Sequence, residues 1–133
     1  SGWYDQGGGD VDSRHNYFYP LRVRPGGRAV ALSEYGGIAW PMPGHEPPGR
    51  TYGYGTAKDK ADLTKRYKKL QLKTVLPQLK NGLSALVYTQ VSDVEDEVNG
   101  LFTYDRTALK PDASAVRSCN AALAAEFARV TAK

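Results

Sequence analysis

The stretch Ala29 to Trp40, AVALSEYGGIAW, runs through small and branched apolar residues and closes on Glu34 between a serine and a tyrosine. A carboxylate at the end of a buried strand needs partners or a task, because an unpaired charge is costly to take out of water. Two other stretches close in the same manner. Asp10 to Tyr17, DVDSRHNY, ends on His15, Asn16 and Tyr17, and Leu83 to Gln90, LSALVYTQ, ends on Tyr88 and Gln90. Brought to one rim, these residues supply a carboxylate, an imidazole, two phenols and two amides. Such a set holds a small polar ligand by directed hydrogen bonds, and a carboxylate among donors can also serve as a nucleophile. The competing account of Glu34 is a structural ion pair with an arginine such as Arg14.

The elements that must position these groups follow from patterning. Asp10 to Tyr17 reads as a short strand after the glycine run Gly7 to Gly9, and Ala29 to Ser33 as a continuous apolar strand of the kind found in parallel sheets. Residues 36–55 hold four of the eight prolines and no periodicity, which marks a long loop. Thr56, with Asp59 three residues on, offers an N-cap for a helix from Ala57 to Lys80. Its apolar stripe is Leu63, Tyr67, Leu70, Val75, Leu76 and Leu79; Pro77 should kink its last turn and Gly82 should stop it. A third buried strand follows at Leu83 to Gln90. The last helix runs from Asp112 to Thr131, with Pro111 near its first turn. Strand, loop, helix, strand, loop, helix is the order of parallel βαβ units, so the fold class is α/β. In such sheets ligands and chemistry sit beyond the carboxyl ends of the strands.

Composition excludes several other classes. At 133 residues, 41% hydrophobic and 24% charged, the chain has the make-up of one globular domain. Its net charge of +4 comes largely from KRYKKLQLK, Lys65 to Lys73, which is the wet face of a helix rather than a nucleic-acid surface. A single cysteine, Cys119, rules out an intrachain disulfide and a cysteine-cluster metal site. The acidic run Asp93 to Gly100 lacks the glycine and the closing glutamate of an EF-hand loop, so it reads as a hydrogen-bonded loop over the mouth of the site. No cofactor or metal is expected. No run of about 18 apolar residues is present, so no membrane partner is expected either. The expected setting is soluble and cytoplasmic, and the opening SGWYDQGGGDV is expected to be the interior of a longer protein.

The ordered set LSEYGG, GH, TYGYG and VYTQVSDVEDEVNGLFTYDR resembles the C-terminal part of the catalytic barrel of glycoside hydrolase family 2, the β-galactosidase and β-glucuronidase type. The resemblance covers nearly the whole chain and implies strands six to eight, with flanking helices, of a (β/α)8 TIM barrel. It implies that Glu34 is the catalytic nucleophile of a retaining β-glycosidase and that Tyr17 stands within its reach. His15, Asn16, Tyr88 and Gln90 would meet a carbohydrate substrate, and Trp3, or Trp40, would supply an apolar platform under a pyranose ring. Tyr88 departs from the tryptophan usual near the end of the eighth strand, which leaves the sugar open. The acid/base glutamate belongs to the fourth strand, outside this chain, so the chain alone is expected to be inactive. Retaining glycosidases hold their two carboxylates roughly 5–5.5 Å apart.

A second account stays open: a stand-alone α/β module that uses the same rim to bind a carbohydrate or another small polar ligand without chemistry. On the barrel account the partners are the substrate and the rest of the barrel. Failing the latter, a second copy is expected to cover open sheet edges and an inner face carrying Leu32, Ala85 or Val87.

Overall fold

A computed structural model describes residues 2–24 and 26–132. The elements are β1 (Val11–Asn16), β2 (Ala29–Gly36), α1 (Lys60–Lys69), α2 (Leu76–Leu79), β3 (Leu83–Thr89) and α3 (Ala113–Thr131). A π-helical segment, Leu70–Val75, joins α1 to α2. The three strands form one open sheet in the order β1-β2-β3, and both pairings are parallel. The fold is therefore mixed α/β with strand neighbours in chain order.

One face of the sheet is covered by helices. Val30, Leu32 and Tyr35 of β2 and Leu83 of β3 form a core with Val75, Leu79 and Leu123. Leu21 and Val23, from the extended segment after β1, complete it, and the Val23 N–H donates to Gln78 Oε1 at 2.9 Å. The opposite face carries small residues. Ser13 and Ser33 hydrogen-bond across β1 and β2 at 2.7 Å, and Ala85 and Val87 of β3 are exposed. The expectation that Leu32 would face this open side is corrected. Side chains alternate along a strand, and Leu32 shares the phase of buried Val30.

The long helix differs from its sequence reading in three ways. Its cap is Asp59, whose carboxylate accepts from the Asp62 N–H at 2.8 Å, and not Thr56. Thr56 and Ala57 are taken up in a bridge to Ala39, with the Ala57 N–H donating to the Ala39 carbonyl, so the chain is still extended there. The interruption near Pro77 takes the form of a π segment before the proline rather than a kink at it. Finally, the buried stripe is Leu63, Tyr67, Gln71, Val75 and Leu79, with steps of four. In a regular α-helix each such step overshoots a full turn by about 40°, and the wider π turn takes up that drift. Leu70 and Leu76 lie at the margin of the core while Gln71 is buried, its Oε1 accepting from the Tyr35 hydroxyl at 3.1 Å.

Gly82 ends this helix at φ +94°, a left-handed conformation open to glycine. The last helix is capped by Asp112 on the Ala115 N–H and buries Cys119 and Leu123. No helix among the described residues is long and apolar enough to cross a membrane.

Beyond the strands, residues 37–57 and 90–110 are fastened to each other. The Trp40 N–H donates to the Val98 carbonyl, and on either side of Glu97 the Tyr52 N–H donates to the Asp96 carbonyl and the Val98 N–H donates to the Tyr52 carbonyl. The second of these loops is organised by Lys110, which has no exposed surface. Its Nζ donates to Asp93 Oδ1 and to the Val98 carbonyl, each at 2.8 Å, and Asp93 Oδ1 also accepts from the Gly100 N–H at 2.7 Å. Burial pushes the Asp93 carboxyl up and the Lys110 ammonium down, while each partner holds the other charged. A Cβ on Gly100 would sit 2.2 Å from the Asp93 nitrogen, so only glycine permits this approach.

Removing one partner of a buried pair leaves the other charge uncompensated. Lys110→Met is therefore expected to lower the unfolding free energy by about 3–5 kcal/mol in urea titrations. Pairing it with Asp93→Asn should recover part of the loss, and a double variant no better than the single one would contradict the pairing.

Candidate functional site

Parallel strands bring their carboxyl ends to one edge, and there the register breaks twice. The β1–β2 pairing shifts between Arg14 and His15, and the β2–β3 pairing shifts between Leu32 and Tyr35. Such irregularities re-aim side chains. Here they set His15 opposite Glu34 and turn the Glu34 side chain out of the strand, where it is 45% exposed.

Two groups meet the same oxygen of Glu34. The Tyr17 hydroxyl lies 3.0 Å from Oε2 and 2.9 Å from Thr89 Oγ1. With one proton, it donates to the carboxylate and accepts from the threonine. Burial pushes the Tyr17 phenol well above its ordinary value and the Glu34 charge adds to the rise, against the opposing Thr89 bond. Tyr17 thus stays a donor at any physiological pH. His15 Nδ1 stands 3.3 Å from the same oxygen but poorly aligned, and it is buried without a hydrogen-bond partner. Its ring is held from behind by Gly2, where a Cβ would lie 1.9 Å from it, and by the edge of Trp3 at a centroid distance of 5.2 Å. Arg14 does not pair with Glu34. Its guanidinium is bound to Asp12 at 2.6 Å.

Glu34 opens into a cavity of about 440 Å³ whose wall includes Tyr17, Tyr54, Tyr88, Gln90 and Glu97. Tyr54 stacks on Tyr17 with centroids 3.8 Å apart and planes 13° from parallel. The stack fits because Gly37, at φ +60°, has no side chain; a Cβ there would lie 2.5 Å from the Tyr54 ring and 2.9 Å from Tyr17. Tyr88 packs edge-on against Tyr35 and Tyr67, and burial pushes its phenol up; the Tyr67 phenol is pushed up to about 12, chiefly by burial. The Gln90 amide donates to Glu97 Oε2 at 3.0 Å and to Asn99 Oδ1 at 2.8 Å, and Asn99 Nδ2 donates to Glu97 Oε2 at 2.9 Å.

Of the residues singled out in the sequence, Glu34, Tyr17, Tyr88 and Gln90 line this cavity, and His15 backs it. Asn16 does not join them, since its Oδ1 accepts from the Tyr19 N–H and shapes the turn after β1. Trp3 is 56% exposed beside His15, and Trp40 is half-buried, its N–H on the Val98 carbonyl. Thr89, Tyr54, Glu97 and Asn99 were not singled out. Tyr54 and Glu97 lie in TYGYG and DVEDEVNG, where only the density of aromatic and acidic residues signals them. Among the described residues no group of three or more His, Cys, Asp or Glu is disposed to hold a metal ion. No protein-family model matches the chain, and no curated protein matches it.

Tyr17→Phe keeps the stack on Tyr54 and deletes only the hydroxyl. It should cost about 1 kcal/mol in unfolding free energy, and nuclear magnetic resonance should show the Glu34 and Thr89 signals losing their fixed environment. Unchanged signals would mean that the hydroxyl does not hold the carboxylate.

Proposed function

We propose that the chain supplies part of the active site of a retaining β-glycosidase, with Glu34 as the nucleophile. The remaining strands of a (β/α)8 barrel, including the one that bears the acid/base carboxylate, would come from a longer protein. The observation that carries this reading is the setting of Glu34. It stands at the end of the central strand, half exposed to a cavity, with one oxygen held by the Tyr17 hydroxyl. A nucleophilic carboxylate needs that combination of orientation and access.

Sheet geometry supports the barrel. The strands neighbour one another in chain order, as in a singly wound barrel, whereas doubly wound sheets reverse their order at a switch point. Helices cover one face and the other presents Ser13, Ser33 and Ala85, small side chains suited to a narrow interior. The resemblance to glycoside hydrolase family 2 points the same way.

In the proposed reaction Glu34 attacks the anomeric carbon, and the leaving oxygen takes a proton from the acid on the missing strand. Tyr17 keeps the carboxylate aimed. Gln90 and Tyr88 border the space for the sugar, and His15 stiffens the wall behind Glu34.

A 2,4-dinitrophenyl 2-deoxy-2-fluoro-β-glycoside tests the assignment, because its leaving group needs no proton. In the complete protein it should leave a glycosyl ester on the peptide containing Glu34, and none in Glu34→Gln. Glu34→Ala should abolish turnover, with azide restoring some of it on activated substrates. On substrates whose leaving group does need a proton, the 133-residue chain alone should be slower than the complete protein by at least roughly 10²-fold, the least a positioned acid contributes. An ester elsewhere, an active Glu34→Ala protein or robust turnover by the chain alone would each refute the reading.

The same reading leaves both outer strands of the isolated chain in want of neighbours. The Gly2 carbonyl takes one bond on the β1 edge, from the His15 N–H; Ser1 lies outside the described residues. Along β3, exposed Ala85 and Val87 adjoin an apolar hollow of Leu79, Leu86, Leu123 and Phe127. Sedimentation at micromolar concentration should show self-association, and a stable monomer with cooperative unfolding would count against the partial barrel.

A further inference from the structure

We propose that Glu97 is the residue that selects the sugar: it accepts hydrogen bonds from hydroxyl groups of an uncharged glycone and excludes uronic acids from the cavity it shares with Glu34. The inference rests on the glycosidase reading and adds to it a substrate class and a residue that sets it.

Glu97 is built into the wall rather than carried on its surface. Its backbone N–H donates to the Val94 carbonyl at 2.9 Å, and the residue bridges Tyr52 across the two loops. Its Oε2 receives two amide N–H groups, from Gln90 and Asn99, and the Asn99 side chain is itself bound by Gln90 and buried. Among the described residues no donor reaches Oε1. The result is a carboxylate fixed at one oxygen and able to accept at the other. Preorganisation of this kind lowers the entropy lost when a ligand hydroxyl binds.

Charge then fixes what the cavity admits. Among the described residues that line it there is no Lys, Arg or His, while Glu34, Glu95, Asp96 and Glu97 all do so. Tyr54 lies in the field of Glu97 and Glu34, which add to the upward push that burial gives its phenol. A sugar carboxylate placed here would meet four like charges and no countercharge from the lining, and Glu97 is the one of the three loop carboxylates that amide donors hold in place. A neutral sugar would meet acceptors, which its hydroxyls satisfy as donors. Specificity would thus come from a repulsive element as much as from an attractive one.

Titration of the complete protein, isotope-labelled, by nuclear magnetic resonance tests this, with methyl β-D-glucopyranoside and methyl β-D-galactopyranoside as neutral probes and methyl β-D-glucuronide as the anionic one. At least one neutral probe should move the Glu34 and Tyr17 signals and the Gln90 and Asn99 side-chain amides. The glucuronide should bind at least about tenfold more weakly. Glu97→Gln keeps the shape and an acceptor for the amides; it should weaken the neutral probe and narrow the gap to the glucuronide, with Glu34, Glu95 and Asp96 holding the remainder. Glu97→Asp, which keeps the charge but withdraws it by one methylene, should weaken the neutral probe and still exclude the glucuronide. A neutral probe that binds at Glu34 with the same preference in wild type and Glu97→Gln would overturn the role of Glu97 and leave the glycosidase reading in place. Loss of the exclusion in Glu97→Asp would overturn it too. If no probe moves the Glu34 and Tyr17 signals, both fall.

Discussion

An ammonium group with no exposed surface must find acceptors inside the protein, and Lys110 finds them in the Asp93 carboxylate and the Val98 carbonyl. Much at the cavity end of the sheet depends on that bond set. Asp93 lies three residues beyond Gln90, and Val98 separates Glu97 from Asn99. Fixing both ends of this short span fixes Glu97 within it and steadies the amides of Gln90 and Asn99 that flank it. The constraint passes further because Val98 also accepts from the Trp40 N–H and pairs with Tyr52, which ties down the proline-rich loop and Tyr54 within it. A buried pair of this sort adds little net stability once its desolvation is counted. What it supplies is a single arrangement of a loop that buries few of its apolar side chains, Val91, Val94, Phe102 and Tyr104 being exposed.

The sheet contributes the other half of the positioning, through its departures from regularity. Strict alternation along β1 and β2 would keep every second side chain on the small-residue face and every other one in the core. The register shifts after Arg14 and after Leu32 release the last residues from that rule. Tyr35 then returns to the core and donates to the buried Gln71, while Glu34, one residue earlier, turns toward Tyr17 and the cavity. The π segment serves the same core from the opposite side, since it keeps Gln71 in line with Tyr67 and Val75 beneath Tyr35.

Fold class, strand placement and the final helix were legible because they follow from apolar runs, caps and breakers that act locally. Glu34, Tyr17 and Gln90 were legible for a related reason: parallel strands deliver their ends to one edge, so position along the chain becomes position in space. Asn16 obeyed that rule in placement but not in use, because a turn residue three positions away claimed its oxygen. The helix start was misjudged since Thr56 is a sound cap that the bridge to Ala39 happens to occupy. Leu32 was put on the wrong face because a continuous apolar run does not announce its phase. Glu97, Asn99 and Lys110 were hidden more deeply. Their roles come from pairings between segments, Lys110 with Asp93 and Asn99 with Gln90, that no local pattern encodes.

The position of Glu34 follows from two constraints that act on one strand. Burial demands apolar side chains, and Val30, Leu32 and Tyr35 supply them. A site at the strand end demands a carboxylate that water or a ligand can reach. A register break lets both demands be met within six residues, because it uncouples the last turn of the pleat from the first. Neighbouring strands then dress the carboxylate with groups that cost the core nothing: Tyr17 arrives after β1 has ended, and Thr89 is the last residue of β3. The Tyr17 ring rests on Tyr54 rather than on the core, so its hydroxyl is aimed by the loop while the carboxylate is aimed by the sheet. Glu34 therefore sits where two independently anchored parts of the chain meet, and its orientation depends on the Lys110 node as well as on the strands.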